Sequence, residues 1–232
     1  MPAHIGIVGC SAEGAALCYR TICTEAPAMM GAHAHPEVSM HTHSLAAYLA
    51  CLERGDWAGV GQLMLSSADK LAAGGAGFLI CPDNTIHQAL PQIEHASTLP
   101  WLHIADTVAL EASKLGFRRV GLTGTRMLVE SDVYPPRLAS LGIDCLLPTP
   151  AEREEINDII MHELVRGIFK PEAVTAFQRV MARMRDAGCD AVLLGCTEIP
   201  LIMNDANSPL PTLDSTRLLA RAALRRAIGE QA

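Results

Sequence analysis

A chain of 232 residues has room for one large domain or for two lobes of about 110 residues each, close to the commonest domain size. Its formal charge of −7 leaves no basic surface of the kind a nucleic-acid backbone requires. Half the residues are apolar and 4% are aromatic, the aliphatic-rich balance of a buried parallel sheet covered by helices. The start, Met1-Pro2-Ala3-His4, runs straight into an apolar segment without a basic stretch and long apolar run, so neither export nor membrane spanning is expected. The eight cysteines form no CxxC pair and read as reduced thiols of a cytoplasmic protein.

Short apolar runs alternate with segments of helical period along the whole chain. Strands are predicted at 5–8 and 37–41, then a helix at 57–73 and a strand at 78–81. A strand at 101–104 leads to a helix at 106–115 closed by Gly116, and strands follow at 120–123 and 144–147. Helical spacing returns at 154–169 and at 171–187, where Pro171 suits a first turn, and Gly188 precedes a last strand at 191–194. Such alternation implies right-handed crossovers and an α/β fold with parallel sheets.

The chain also repeats itself. Shifted by about 113 residues, Gly75 falls on Gly188, Leu79 on Val192, Ile80 on Leu193 and Asn84 on Thr197. At nearly the same offset, Ile5-Gly6-Ile7-Val8-Gly9 with Tyr19 matches Val120-Gly121-Leu122-Thr123-Gly124 with Tyr134. Two similar lobes are expected, 1–98 plus 213–232 and 99–212, with changes of lobe near Leu99-Pro100 and Leu210-Pro211.

The overlay places Asp83 opposite Cys196. Each is the polar residue that follows a short apolar strand, and open parallel sheets bind ligands beyond the carboxyl ends of their strands. Two opposed proton-transfer groups flanking one carbon can remove a proton from one face and return it on the other, which is racemisation without a cofactor.

Gly195-Cys196-Thr197-Glu198, Asn84-Thr85-Ile86-His87, His35-Pro36-Glu37 and Asp214-Ser215-Thr216 together resemble the cofactor-independent aspartate/glutamate racemase superfamily, nearest its aspartate and broad-specificity branch. The resemblance spans essentially the whole chain. It implies two Rossmann-like lobes related by a pseudo-two-fold axis, usually in a homodimer, with the active site in the cleft between them. It implies a small, acidic amino-acid substrate and neither pyridoxal phosphate nor metal. The family pattern has Cys-Asn-Thr in the first lobe and Gly-Cys-Thr in the second, the two thiols acting as acid and base. Cys196 matches the second thiol, whereas Asp83 stands in place of the first.

By the same resemblance Glu198 assists proton transfer at Cys196. Asn84, Thr85 and Thr197, with Thr125, would hold the α-carboxylate through side-chain and backbone donors. Ser11 matches the first glycine-rich loop only loosely, because this chain reads Gly9-Cys10-Ser11-Ala12-Glu13. Arg166 matches a cation on a second-lobe helix that meets the distal carboxylate of aspartate, and a second such cation has no counterpart, since His41-Thr42-His43-Ser44 fills that region.

Each assignment has a plainer alternative. Asp83 could accept hydrogen bonds from its own loop or anchor a substrate ammonium. Cys81, two residues earlier, could supply the missing thiol but reads better as a packed core cysteine. Arg166 could be a solvated helix residue. His33, His35, His41 and His43 lack a cluster of further ligands at metal spacing, and His87 is expected to orient the Asn84-Thr85 loop. At the level of function, a single-cysteine decarboxylase of the same superfamily and a non-catalytic amino-acid-binding protein compete with the racemase.

Overall fold

The computed structural model describes residues 1–230 and divides into two compact units, 1–107 with 216 onward, and 108–215. The first contains β1 (Ile5–Gly9), α1 (Ala12–Glu25), α2 (Pro27–Met30), β2 (Val38–Thr42), α3 (Leu45–Leu52), α4 (Trp57–Ala73), β3 (Phe78–Ile80), α5 (Leu90–Ile93) and β4 (Trp101–Leu102). The chain passes between the units within α6 (Ile104–Lys114). The second contains β5 (Arg119–Thr123), α7 (Arg126–Val129), α8 (Pro135–Ser140), β6 (Asp144–Leu146), α9 (Pro150–His162), α10 (Pro171–Asp186), β7 (Ala191–Leu194) and β8 (Thr212–Asp214), before α11 (Ser215–Ala227) returns to the first.

Both sheets are parallel and share one topology. Their orders are β2-β1-β3-β4 and β6-β5-β7-β8, so each strand of the second sheet occupies the place of the strand four earlier. β3 and β7 are therefore equivalent, as the repeat predicts. The equivalence extends to the approach: Gly75 and Gly188 adopt φ of 90° and 88°, the left-handed turn that glycine enters without a side-chain clash. It fails among the helices, where Tyr134 is fully buried and Tyr19 is exposed.

Strand parity decides which helix each residue meets. In the first sheet Ile5, Ile7, Phe78 and Ile80 face Cys18 and Ile22 of α1 and Leu219, Ala220 and Ala223 of α11. Val8 and Leu79 face the opposite way, onto Val60, Met64, Ala68 and Leu71 of α4. In the second unit, Val192 and Leu194 pack with Phe177, Val180, Met181 and Met184 of α10 and with Ile156 and Ile160 of α9. Full burial of each Val, Leu, Ile, Phe or Met among them stabilises by about 1.5–3 kcal/mol, and burial on both faces explains the uninterrupted apolar runs.

Several expected boundaries move. β4 stops at Leu102 and Ile104 already heads α6, and because β4 pairs with β3 through Leu79 and Ile80, the stretch from 99 to 107 belongs to the first unit. The helix expected at 154–169 starts at Pro150, where Thr149 and Glu152 cap each other's backbone N–H, and it ends before Glu163, whose φ of −120° and ψ of −69° leave the helical region. Arg166 consequently sits not on that helix but in a separate 3-10 turn, Leu164–Arg166, closed by Gly167 at φ 71°. The strand β8 was not anticipated, since Leu213 is its single fully buried apolar residue.

Candidate active site

In the first unit β3 ends at Ile80, short of Cys81, and the chain turns at Pro82 into Asp83. The half-buried Asp83 accepts the Ile86 amide on Oδ1 at 3.3 Å, which starts the 3-10 turn Thr85–Ala89. The Asp83 carbonyl accepts from His87 Nδ1 at 2.7 Å, and His87 Nε2 accepts the Ile104 amide at 3.3 Å. With both nitrogens committed, the hydrogen-bond network assigns the imidazole as the neutral Nδ1–H tautomer. It pins the loop after β3 to the first turn of α6, as expected of a residue that orients the Asn84-Thr85 segment. Asn84 is 3% exposed and Thr85 opens the 3-10 turn half-buried.

Cys81 is fully buried on the α4 side of the sheet, and burial first, then the Asp83 charge, pushes its thiol well above the ordinary range. It is a protonated core thiol at neutral pH, held away from the role of a second reactive sulfur. Tyr48 of α3, which no sequence motif marks, is also fully buried here; burial, then the thiols of Cys81 and Cys10 and the Asp83 carboxylate, raise its phenol. A tyrosine at helical spacing looks the same in sequence whether it faces a core or a site. Ser11 caps α1, accepting the Gly14 amide at 3.2 Å.

His41 and His43 stand edge to face, 4.9 Å apart, and pair with Ser67 Oγ at 2.9 Å and Ser66 Oγ at 3.2 Å. Burial, then the Lys70 charge, hold both below the usual imidazole range. Among the described residues no group of three or more His, Cys, Asp or Glu is gathered as a metal ion would need.

In the second unit the end of β7 is built around two glycines. A Cβ on Gly195 would lie 2.6 Å from the Thr123 carbonyl oxygen, and one on Gly124 would lie 3.3 Å from the Gly195 carbonyl oxygen. Only bare backbone lets β5 and β7 run so close at their carboxyl ends. Cys196 follows, half-buried, and its Sγ donates to Glu198 Oε2 at 2.9 Å. Thr197 Oγ1 donates to the same oxygen at 2.7 Å. Thr197 and Glu198 are each 4% exposed, so the carboxylate meets these donors out of bulk water. Thr125 caps α7 through the Leu128 amide at 3.3 Å.

Within the first unit the structure places Asp83, Asn84 and Thr85 beyond β3, with Ser11 beyond the neighbouring β1; within the second it places Cys196, Thr197 and Glu198 beyond β7, with Thr125 beyond the neighbouring β5. Arg166 is exposed in its own turn, Leu164–Arg166.

A family model described as Asp/Glu/hydantoin racemase matches residues 5–223. The chain belongs to this family. This Asp/Glu racemase family member is 32% identical to a Yersinia pestis protein of known structure whose assignment as an Asp/Glu racemase is itself provisional; the match covers 97% of this chain and 99% of that one, with a TM-score of 0.89. An aspartate racemase homologue from Pyrococcus horikoshii OT3 gives 26% identity and a TM-score of 0.84 over 97% of this chain and 99% of its own. The broad specificity amino-acid racemase RacX of Bacillus subtilis is 23% identical over 164 residues, 69% of each protein. Among the described residues no helix is long and apolar enough to cross a membrane.

Proposed function

We propose that this family member is an amino-acid racemase or epimerase in which Asp83 and Cys196 exchange the α-proton of one bound substrate, without pyridoxal phosphate or metal. The observation that carries the reading is the Cys196 thiol hydrogen-bonded to the shielded Glu198 carboxylate at the end of β7, where the equivalent strand β3 leads into Asp83. Glu198 takes the thiol proton as the thiolate forms; the thiolate removes the α-proton from one face, and Asp83, as the acid, returns a proton to the other. The reverse reaction begins at the Asp83 carboxylate.

The barrier lies in the carbanion, whose charge spreads onto the substrate carboxylate as a second negative charge develops there. Hydroxyl and amide donors stabilise that charge more in the transition state than in the ground state. Asn84, Thr85, Thr125 and Thr197 serve in this role, with Ser11 beside them. Arg166 meets the side-chain carboxylate of a small acidic substrate. The enzyme works as a cytoplasmic homodimer on a free amino acid.

The test is proton exchange. Single enantiomers of aspartate, glutamate and neutral amino acids are incubated with the protein in deuterated water and followed by proton NMR and chiral chromatography. Wash-out of the α-proton with inversion is expected for at least one amino acid. Exchange with retention of configuration would leave a single working group and sink the Asp83 role.

The locked Cys81 favours one further reading. With a single available thiol, the site could protonate an enediolate after carbon dioxide leaves a malonate. Gas release from an arylmalonate without amino-acid exchange would establish that lyase.

A further inference from the structure

On the edge strand of the first sheet two imidazoles turn opposite hydrogen-bonding groups outward. His41 of β2 and His43 just beyond it both reach toward α4, two residues apart on one face of the chain. Ser67 of α4 spends its own proton on the Leu63 carbonyl at 3.2 Å, so its oxygen accepts from His41 Nδ1 at 2.9 Å. That leaves His41 Nε2 as a bare acceptor. Ser66 Oγ accepts from the Lys70 ammonium at 3.4 Å, and its proton has His43 Nε2 as acceptor at 3.2 Å. The network therefore leaves His43 its hydrogen on Nδ1, as a donor. Burial, then the Lys70 charge, keeps both rings below the usual imidazole range, so both are neutral at pH 7 and hold these roles.

The protein does not use the two outward nitrogens. His41 Nε2 and His43 Nδ1 have no partner among the described residues, and neither is shut away from solvent. The rings meet edge to face with centroids 4.9 Å apart, a span that one small planar group bridges with hydrogen bonds of about 2.9 Å at either end. A primary carboxamide satisfies both, its N–H donating to His41 and its oxygen accepting from His43, on the side that the Lys70 charge favours. A carboxylate has no proton for His41 Nε2. An ammonium has no acceptor for His43, and Lys70 repels it.

Strand register says what lies within reach. β2 and β3 flank β1, where Val8 pairs with His41 and Ile7 with both Met40 and Ile80. Continued past the strand ends, this register brings His43, Cys10 and Asp83 to one level, His43 and Asp83 being two strand spacings, about 10 Å, apart. A substrate whose α-carbon touches Asp83 and whose side chain ends two or three carbons on, at the imidazoles, covers that distance.

We propose that His41 and His43 form a subsite for a primary carboxamide side chain, and that asparagine or glutamine is a substrate beside the acidic amino acid. Turnover of the amide rests on the racemase reading; its binding does not.

The experiment uses the full chain with 15N-labelled histidine, the two imidazoles being assigned by loss of their signals in His41→Phe and His43→Phe, or in the Gln variants should these fail to fold. Two-bond proton–nitrogen spectra at pH 7.5 should show both rings neutral with the hydrogen on Nδ1. In the Cys196→Ala background, where turnover does not consume the probe, L- and D-asparagine and glutamine are titrated, with leucine as the apolar match for asparagine. One amide should shift both imidazoles saturably, with a dissociation constant of about 1 mM. Leucine should shift neither. In the parent, deuterium should replace the α-proton of that amide, and His41→Phe should move the kcat/KM ratio of amide to aspartate about tenfold toward the acid, chiefly through KM. The proposal is overturned by an Nε2–H or charged ring at either position, by amides that shift neither imidazole, by leucine shifting them equally, or by an unchanged ratio in His41→Phe. Wash-out from aspartate but from neither amide overturns it and leaves the racemase. Saturable amide shifts without wash-out from any amino acid overturn the racemase and leave the subsite.

Discussion

Cys196 is where a single atom matters most. The half-buried Cys196 side chain donates to Glu198 and only borders the apolar core of the second unit, so removing its sulfur costs little packing. Cys196→Ala should abolish racemisation, a loss of at least about 10³-fold on the proposed mechanism, in which one of two proton carriers disappears. Its melting temperature should stay within a few degrees of the parent's, since about 1 kcal/mol moves a chain of this size by roughly 2–4 °C. Calorimetry beside chiral chromatography checks both, and retained racemisation would remove the thiol from the mechanism. Glu198→Gln keeps an oxygen to accept from Thr197 and Cys196 but removes the charge that, on the proposed mechanism, receives the thiol proton. A fall in kcat of about 10²-fold with KM nearly unchanged is expected, in line with the usual contribution of one proton-transfer group; steady-state kinetics on both enantiomers would read it.

At the scale of elements, the head of α9 carries a pH-dependent contribution that can be measured apart from catalysis. Glu152 accepts the Thr149 amide at 2.7 Å and Arg183 Nε at 2.6 Å. Burial raises its carboxyl, but the Arg183 and Thr149 hydrogen bonds outweigh burial and the net displacement is below the ordinary value of 4.5. A depressed folded-state value means that the stabilisation is present above the unfolded value and is lost as pH falls through the folded one. Glu152→Gln should therefore cost about 1 kcal/mol at pH 7, the size of a capping contribution. The difference from the parent should shrink below about pH 4.5 and vanish at still lower pH. Urea titrations at pH 7 and at acid pH check the sign; an equal penalty at both would assign the effect to shape rather than charge.

The same element shows where reading the sequence succeeds and where it stops. Helical period found α4 and α10, the latter overrun by one residue, because their apolar residues recur every three or four positions against a sheet. It overran α9, because Val165, Ile168 and Phe169 continue an apolar pattern that is in fact exposed. The Thr149-Pro150-Ala151-Glu152 box that sets the true start was legible and outranks periodicity at a helix end. Of the candidate site, Cys196, Thr197 and Glu198 announce themselves by following a buried strand after glycine. Tyr48 does not, since nothing local distinguishes its surroundings, and the identity of the His87 partners depends on Ile104, 17 residues away.

For the whole molecule, the repeat supplies a test. Two sheets of identical order place a carboxylate at one strand end and a thiol at its equivalent. An unperturbed carboxylate holds a proton about 6 kcal/mol less tightly than a thiol, so an Asp–Cys pair is lopsided where a thiol pair is balanced. Asp83→Cys restores the balance, and racemisation of the best substrate should rise about tenfold or more, with wash-out from the two enantiomers becoming more nearly equal. Chiral chromatography of the two directions would show it; a variant slower than the parent in both would mean that Asp83 serves by its charge and not by carrying a proton.

The imidazole that clips the turn after β3 gives with one nitrogen and receives with the other. Such a clip works in one orientation only, because a flipped ring would offer the wrong edge to the carbonyl of Asp83 and to the amide of Ile104. The placement of the Asp83 carboxylate thus hangs on a ring four residues further along and on the amide of Ile104, and whatever breaks either bond loosens architecture before it touches chemistry.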